Sequence, residues 1–447
     1  MPANGKHDLM AEWGVQLRLM THRERTALCL MLGAVVFLLF QTFQKAYRPI
    51  GYDFTSYLLS AEALWNGRNP YHTNTGFAYI YPLFLAFVLI PLTAVPYWLS
   101  NLLWFGLSIF CLLAGCLCLL KIAKDDTGTV VDRRLAVPAL VLFLFFLSPI
   151  QSNLRNGQVN LIVLFCCVLF FRNWAQYRVV AGSAWLGAAI AIKLMPAVLL
   201  MFLVVRRQFR ALAYTLCFAA LFCMIPGTVA GGKLSEYYRD YAHFFLLPSL
   251  MASSSGAAPP VKAEAKESRP VPLSFTLQGA IQFVFSECKG SSWPKYAGLL
   301  ITIAALFAVD VASVRSSWRQ PHRDATLRGA SGKGIDASVP RGTCAALAGS
   351  DVWLFCEYLL ACLLISPMSE THHLVFVIPA AMLVGAKTWN GRRSAARSSF
   401  IPVAAFIVCF LLANVFKRTP LYFLSLLILA ILTIQASRSN ARVADNA

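Results

Sequence analysis

The chain is short of charge, and of acidic charge above all: 13% of its residues are charged, and 20 Asp and Glu stand against 39 Lys and Arg. So little charge on 447 residues, of which 58% are hydrophobic, excludes a soluble globule, and the length excludes a protein with one anchor. There is no G-x-x-x-x-G-K-[ST] loop and no G-x-G-x-x-G unit, so nothing points to ATP or dinucleotide chemistry. A G-x-S-x-G elbow is missing, and the usual signature of a serine hydrolase goes with it. H-E-x-x-H is absent, and the 13 cysteines include no CxxC pair. Nearly all of them fall inside apolar runs and read as packing residues, not as a disulfide frame or a metal site. No metal and no cofactor is expected, and no internal repeat is visible.

What is present is a series of apolar runs with a mean hydropathy of +0.62 over the chain. Runs of about 17 to 25 residues are helical spans, because a helix satisfies its own backbone in lipid. The fold class is an all-α polytopic membrane protein. The net charge of +19 resides in Lys and Arg of short loops, where it sets orientation and meets anionic membrane lipids, so nucleic acid is not an expected partner. Arg18, Arg23 and Arg25 precede the run from Thr26 to Phe43, which reads as a retained signal anchor.

Further runs lie at 81–95, 97–122, 135–150, 159–171, 179–205, 211–230, 297–314, 352–366, 374–386, 400–415 and 420–436. If each crossed the membrane, the basic loops could not share one side. The conflict disappears if 81–95, punctuated by Pro82, Pro91 and Pro96, and 179–205, with Lys193 and Pro196 at its middle, enter and return as re-entrant or broken segments. This gives about ten crossings within 26–436, with 1–25 and 437–447 cytoplasmic and a basic cytoplasmic loop at 315–350. The polar loops then collect on the outer face: 47–80, Gln151 to Asn160, 231–296 with a flexible part at 251–272, and Ser366 to His373.

Several residues in those loops could carry chemistry. From Phe54 the apolar residues Phe54, Tyr57, Leu58, Ala61, Leu64 and Trp65 fall at helical spacing, predicting an amphipathic helix on the membrane surface, ended by Gly67 and Pro70. Asp53 before it is either an N-cap or a general base. Lys193 in AIAIKLMPAVLL must face a polar cavity or an anion, or snorkel to an interface. Glu357 also sits within a span. His372 and His373 are adjacent, so on a helix they point about 100° apart and seldom share one ion. One imidazole bonding a phosphate or hydroxyl, or two interfacial histidines in a turn, are the readings left. Gln158 and Asn160 could bond sugar hydroxyls or cap a helix, and Arg155 could meet a lipid phosphate or remain solvated.

Taken together, Asp53 with Tyr57, Gly67 and Pro70-Tyr71, then Gly157-Gln158-Val159-Asn160, then Lys193 with Pro196, then Ser366-Pro367 with His372 and His373, resemble glycosyltransferase family 87. These are membrane enzymes of the GT-C fold that use polyprenyl-phosphate sugars. The resemblance implies that Asp53 is the catalytic base, with Lys193, His372 and His373 near the donor phosphate. Arg155, Gln158 and Asn160 would help hold donor phosphate or sugar, and Tyr57, Tyr71 and Glu357 would support the site. It implies transfer of a hexose, mannose first, with inversion, from a polyprenyl-phosphate sugar donor to a lipid or glycan acceptor on the outer face of a bacterial-type inner membrane. A transporter or flippase of lipid-linked sugar is the alternative, because intramembrane charges and broken helices occur there too.

Overall fold

A computed structural model describes residues 21–47, 52–73, 78–127, 148–246, 349–365, 371–391, 406, 408–410, 412 and 424–435. In chain order the elements are α1 (His22–Ala46), α2 (Asp53–Trp65), α3 (Leu83–Thr93), α4 (Tyr97–Thr127), α5 (Ser148–Asn156), α6 (Asn160–Ala175) and α7 (Val179–Ile192). A 3-10 turn (Met195–Val198) leads into α8 (Leu199–Val205), followed by α9 (Phe209–Met224) and α10 (Leu234–Tyr241). Then come α11 (Gly349–Ile365), the second 3-10 turn of more than three residues (Thr371–Val377) and α12 (Ile378–Gly391). Among the described residues no strand forms.

Three stretches are long and apolar enough to cross a membrane: Arg25–Ala46, Tyr97–Ile122 and Phe209–Phe245. A fourth is possible if α5 and α6, bent by 113°, count as one span. The described residues thus support three or four crossings rather than the expected number of about ten. Much of the difference lies outside them: 128–147, 297–314 and most of 400–415 fall there, as do the proposed linker at 251–272, the loop at 315–348 and Ser366-Pro367.

The two segments expected to turn back are short or broken. Helix α3 has 11 residues, with Pro91 inside it, and spans about 16 Å at 1.5 Å per residue, half the thickness of a bilayer core. The 179–205 run stops at Lys193, whose backbone is extended (φ −151°, ψ 127°), and resumes through the Met195–Val198 turn into α8.

Residues 151–160, expected as an outer loop, are a helix and a tight turn instead. Helix α5 ends in a Schellman motif at Gly157: the Gln158 amide donates to Asn153 O (2.8 Å) and the Gly157 amide to Leu154 O (3.4 Å). Gly157 takes φ +66°, and a Cβ there would lie 2.5 Å from Phe54 Cβ. Only glycine fits both conditions.

Helix α2 forms where the apolar spacing placed it, and it ends as expected. Gly67 (φ +64°) lies just past the helix, with the Arg68 amide on Ala63 O (2.8 Å) and the Gly67 amide on Leu64 O (3.1 Å). Its apolar side is not left for lipid, however. Phe54, Tyr57, Ala61 and Leu64 are buried against α3 and the Trp104 side of α4, and only Trp65 of the expected stripe stands out, 62% exposed. Behind this layer α7 packs between α6 and α9. A Cβ at Gly182 would meet Phe170 O at 3.1 Å, and one at Gly187 would meet Phe218 Cβ at 2.7 Å, so these glycines set the close helix approaches. Helix α11 leans on both 3-10 turns, which carries the second turn toward the break at Lys193.

Candidate active site

Asp53 is the first residue of α2. The cap position falls to Tyr52, which makes no side-chain cap bond. A carboxylate in the first turn is favoured by the helix dipole. Here it has a further partner, accepting a hydrogen bond from Gln158 Nε2. Gln158, 3% exposed, is presented by the Gly157 turn, and its Oε1 accepts from Tyr81 OH (3.3 Å). Gln158, expected on the donor, therefore touches the proposed base.

Lys193 ends α7, where a cation suits the negative end of the helix. Its ammonium donates to Asn160 Oδ1 (2.7 Å), lies 2.8 Å from His373 Nε2 and sits 5.4 Å from the centre of the Tyr81 ring. With Lys193 charged, His373 accepts at Nε2, which places the imidazole proton on Nδ1. Asn160 is fully buried and does not cap α6: its Oδ1 faces Lys193 while its Nδ2 donates to Asn153 Oδ1 (3.2 Å). Asn153 Nδ2 in turn donates to Pro149 O (2.8 Å). One polar seam thus runs from Asp53 through Gln158 and Tyr81 to Lys193, then to His373, Asn160 and Asn153. Around this ammonium stand an amide oxygen, an imidazole and a ring face, groups that stabilise a cation at this depth.

The remaining expected residues divide. Tyr57 is buried edge-on to Tyr81 (5.2 Å between ring centres) and to Trp104 (6.0 Å). Tyr71 donates to Tyr81 O (3.0 Å) and stacks on Tyr241 (5.7 Å). Both pack against Tyr81. Glu357 is buried on α11, and its charge acts on Arg206, whose guanidinium burial lowers to about 10 while Glu357 opposes that fall. Arg206 also pairs with Asp351 at the start of α11. Glu357 thus has its electrostatic partner at the end of α8. Arg155 lies over the Tyr52 ring (6.0 Å). His372 has its backbone in the second 3-10 turn, and its side chain lies outside the described residues. Among the described residues no three His, Cys, Asp or Glu gather to hold a metal.

Sequence reasoning missed Tyr81 and Asn153. A signal existed for the first: Tyr81 precedes Pro82, and a residue before proline is restricted in its backbone. Asn153 carried no signal beyond its polarity.

Apolar helices that break beside a carboxylate and a half-buried lysine define a membrane protein with a polar site between its helices. Comparison with known proteins gives the family. The model of glycosyltransferase family 87 matches residues 79–328, more than half of the chain, and the protein belongs to that family. It is a glycosyltransferase, which decides against a transporter. The chain is 24% identical over 368 residues to a polyprenol-phosphate-mannose-dependent alpha-(1-2)-phosphatidylinositol mannoside mannosyltransferase of Mycolicibacterium smegmatis, over 77% of this chain and 72% of that protein. A protein of the same description from Mycobacterium tuberculosis is 25% identical over 269 residues, 59% of this chain and 50% of its own length. A Mycobacterium tuberculosis phosphatidylinositol pentamannoside mannosyltransferase is 26% identical over 165 residues, 36% of each chain. Tyr81, Gln158, Asn160 and Lys193 fall within the family match; Asp53 and His373 fall outside it.

Proposed function

We propose that the protein transfers mannose from a polyprenyl-phosphate donor to a lipid-anchored glycan on the extracytoplasmic side of the cell membrane, with inversion at the anomeric carbon. The observation that carries this reading is the seam itself, which joins a carboxylate on α2 to a lysine and a histidine 140 and 320 positions further on (193 − 53 and 373 − 53). Asp53 takes the proton of an acceptor hydroxyl as its oxygen attacks the anomeric carbon. The bond from that carbon to the phosphate oxygen breaks, and its electron pair leaves with the phosphate. Lys193 and His373 stabilise the charge that gathers there. The donor class is supported by the names of the relatives, and the side of the membrane by the distribution of basic loops.

Gln158 fits this reaction as a positioning residue. A side-chain amide does not ionise near neutral pH, so its bond to Asp53 orients the carboxylate without taking its proton. The test is transfer of label from polyprenyl-phosphate-[14C]mannose to a membrane lipid extract by purified protein, wild type beside Asp53→Asn. Loss of a general base costs about 10²- to 10⁴-fold in rate with donor binding retained. Near-wild-type transfer by Asp53→Asn would remove Asp53 as the base.

A further inference from the structure

Tyr81 stands between the two halves of the polar seam and meets each with a different part of its side chain. Its hydroxyl donates to Gln158 Oε1 (3.3 Å), and Gln158 Nε2 donates to Asp53. Its ring centre lies 5.4 Å from the Lys193 ammonium. An ionised carboxylate only accepts, so Gln158 presents Nε2 to Asp53 and turns Oε1 toward a donor, the part that the Tyr81 hydroxyl plays. Two hydrogen bonds therefore point the same way, from Tyr81 through Gln158 to Asp53, and bonds aligned in one chain polarise one another. A positive charge at Lys193 favours electron density on the phenol, which makes its O–H a stronger donor.

The ring is fixed from several directions. Tyr71 OH donates to Tyr81 O (3.0 Å), and Tyr57 packs edge-on to the ring at 5.2 Å with the planes 85° apart. Tyr79 lies 5.9 Å away and is itself tied to the start of α3, donating to Pro82 O (2.7 Å) and accepting from the Ala86 amide (3.0 Å). Packing accounts for an aromatic ring at this position but not for a hydroxyl. Phenylalanine would make the same edge contacts and offer the same kind of face to Lys193. A hydroxyl buried with Tyr81, which is 5% exposed, costs free energy unless it is bonded, and it is bonded to the amide that touches Asp53.

We infer that Tyr81 is a positioning residue for the transfer that acts through two others: its hydroxyl sets the Gln158 amide against Asp53, and its ring sets the Lys193 ammonium. The inference rests on the reading above, in which Asp53 is the base and Lys193 faces the leaving phosphate. The two effects are separable. The hydroxyl bears on the base and so on kcat, whereas the ring face bears on the cation and so on donor binding.

The test is steady-state transfer from polyprenyl-phosphate-mannose to a membrane lipid extract by the full chain in detergent, comparing wild type, Tyr81→Phe, Gln158→Met and the double variant. A fifth protein carries trifluorophenylalanine at position 81, which keeps the shape of the ring and weakens its face toward a cation. All these changes nearly conserve shape, and a melting curve verifies that each protein folds. Tyr81→Phe should lower kcat about tenfold, the upper end for one neutral hydrogen bond, with the donor KM unchanged. Gln158→Met should lower kcat at least as much, and adding Tyr81→Phe to it should cost nothing more, because the hydroxyl then has no amide to set. The fluorinated ring should raise the donor KM about threefold or more above that of Tyr81→Phe. A tyrosine that only packs would change the melting temperature and leave kcat and KM alone. That result would overturn the inference, as would additive losses in the double variant or a donor KM indifferent to fluorination. Asp53→Asn assayed beside these separates the two readings: undiminished transfer by Asp53→Asn, or none by wild type, would overturn the reading of the reaction and this inference with it. Loss of transfer in Asp53→Asn with Tyr81→Phe at the wild-type rate would overturn the inference alone.

Discussion

Replacing Gly157 with alanine tests how the base is placed. The residue holds φ +66°, where an L side chain costs about 1 to 2 kcal/mol. Its new Cβ would lie 2.5 Å from Phe54 Cβ, whereas carbon atoms rest at about 3.5 to 4.0 Å. About 1 Å of movement is therefore forced between the turn that carries Gln158 and the first turn of α2, which carries Asp53. Gly67→Ala is the control: φ is +64° and no atom lies within 4 Å of the added Cβ, so it bears the backbone cost alone. Helix C-terminus for helix C-terminus, the two variants differ in the contact with Phe54. Both should lose stability in a detergent melting curve, Gly157→Ala more than Gly67→Ala. Only Gly157→Ala should lose mannosyl transfer, by about 10²-fold, the effect expected of a misplacement of about 1 Å. Equal melting losses with transfer intact in both would refute the claim that this turn positions Asp53.

Two further outcomes follow from other parts of the fold. Lys193→Ala should raise the donor KM and lower kcat if the proposed donor role holds, because it removes the ammonium in contact with Asn160 and His373; unchanged values for both would detach Lys193 from the donor. Tyr177 sits at φ +58° just past α6, 77% exposed, with the Arg178 amide on Asn173 O (2.9 Å), in the position that glycine fills after α2 and α5. Tyr177→Gly should stabilise the protein by about 1 kcal/mol at no cost in packing, read as a higher melting temperature in detergent, and a lower one would count against the turn.

The positions of helix breaks were legible because breaks are local. Gly67, Lys193 with Pro196, and Pro82 and Pro96 on either side of α3 interrupt apolar periodicity, and a helix starts or stops beside each. Charge in an apolar run was equally legible, since an ammonium among Ala, Ile and Leu must have a partner. What the partners were was not. Lys193 meets His373 across 180 residues and Gln158 meets Asp53 across 105, and nothing in the spacing along one chain encodes those distances. The stretch before Asn160 was read as a loop because its amides and arginine are polar, yet those same residues make α5, whose Asn153 and Leu154 are buried and whose Arg155 is exposed. Polarity signalled a site there, and tertiary contact turned it into a helix.

The placement of the site at these breaks has a physical basis. An unbroken apolar helix presents side chains only to its flanks, and a polar group there faces lipid or another helix. Where α5 turns at Gly157 and where α7 stops at Lys193, the chain ends pointing inward, and the last residues can project into the space between helices. Four elements deliver one polar side each: the start of α2 gives Asp53, the α5–α6 turn gives Gln158 and Asn160, the α7 break gives Lys193, and the second 3-10 turn gives His373. Surrounded by Tyr57, Tyr79, Tyr81 and Trp104, this seam lies in surroundings of low polarity, where a misplaced charge is costly and a matched one is strong. For the transfer proposed above, such a site would favour a transition state that carries charge at the leaving oxygen over a ground state that carries less of it there, which is the condition for catalysis rather than mere binding.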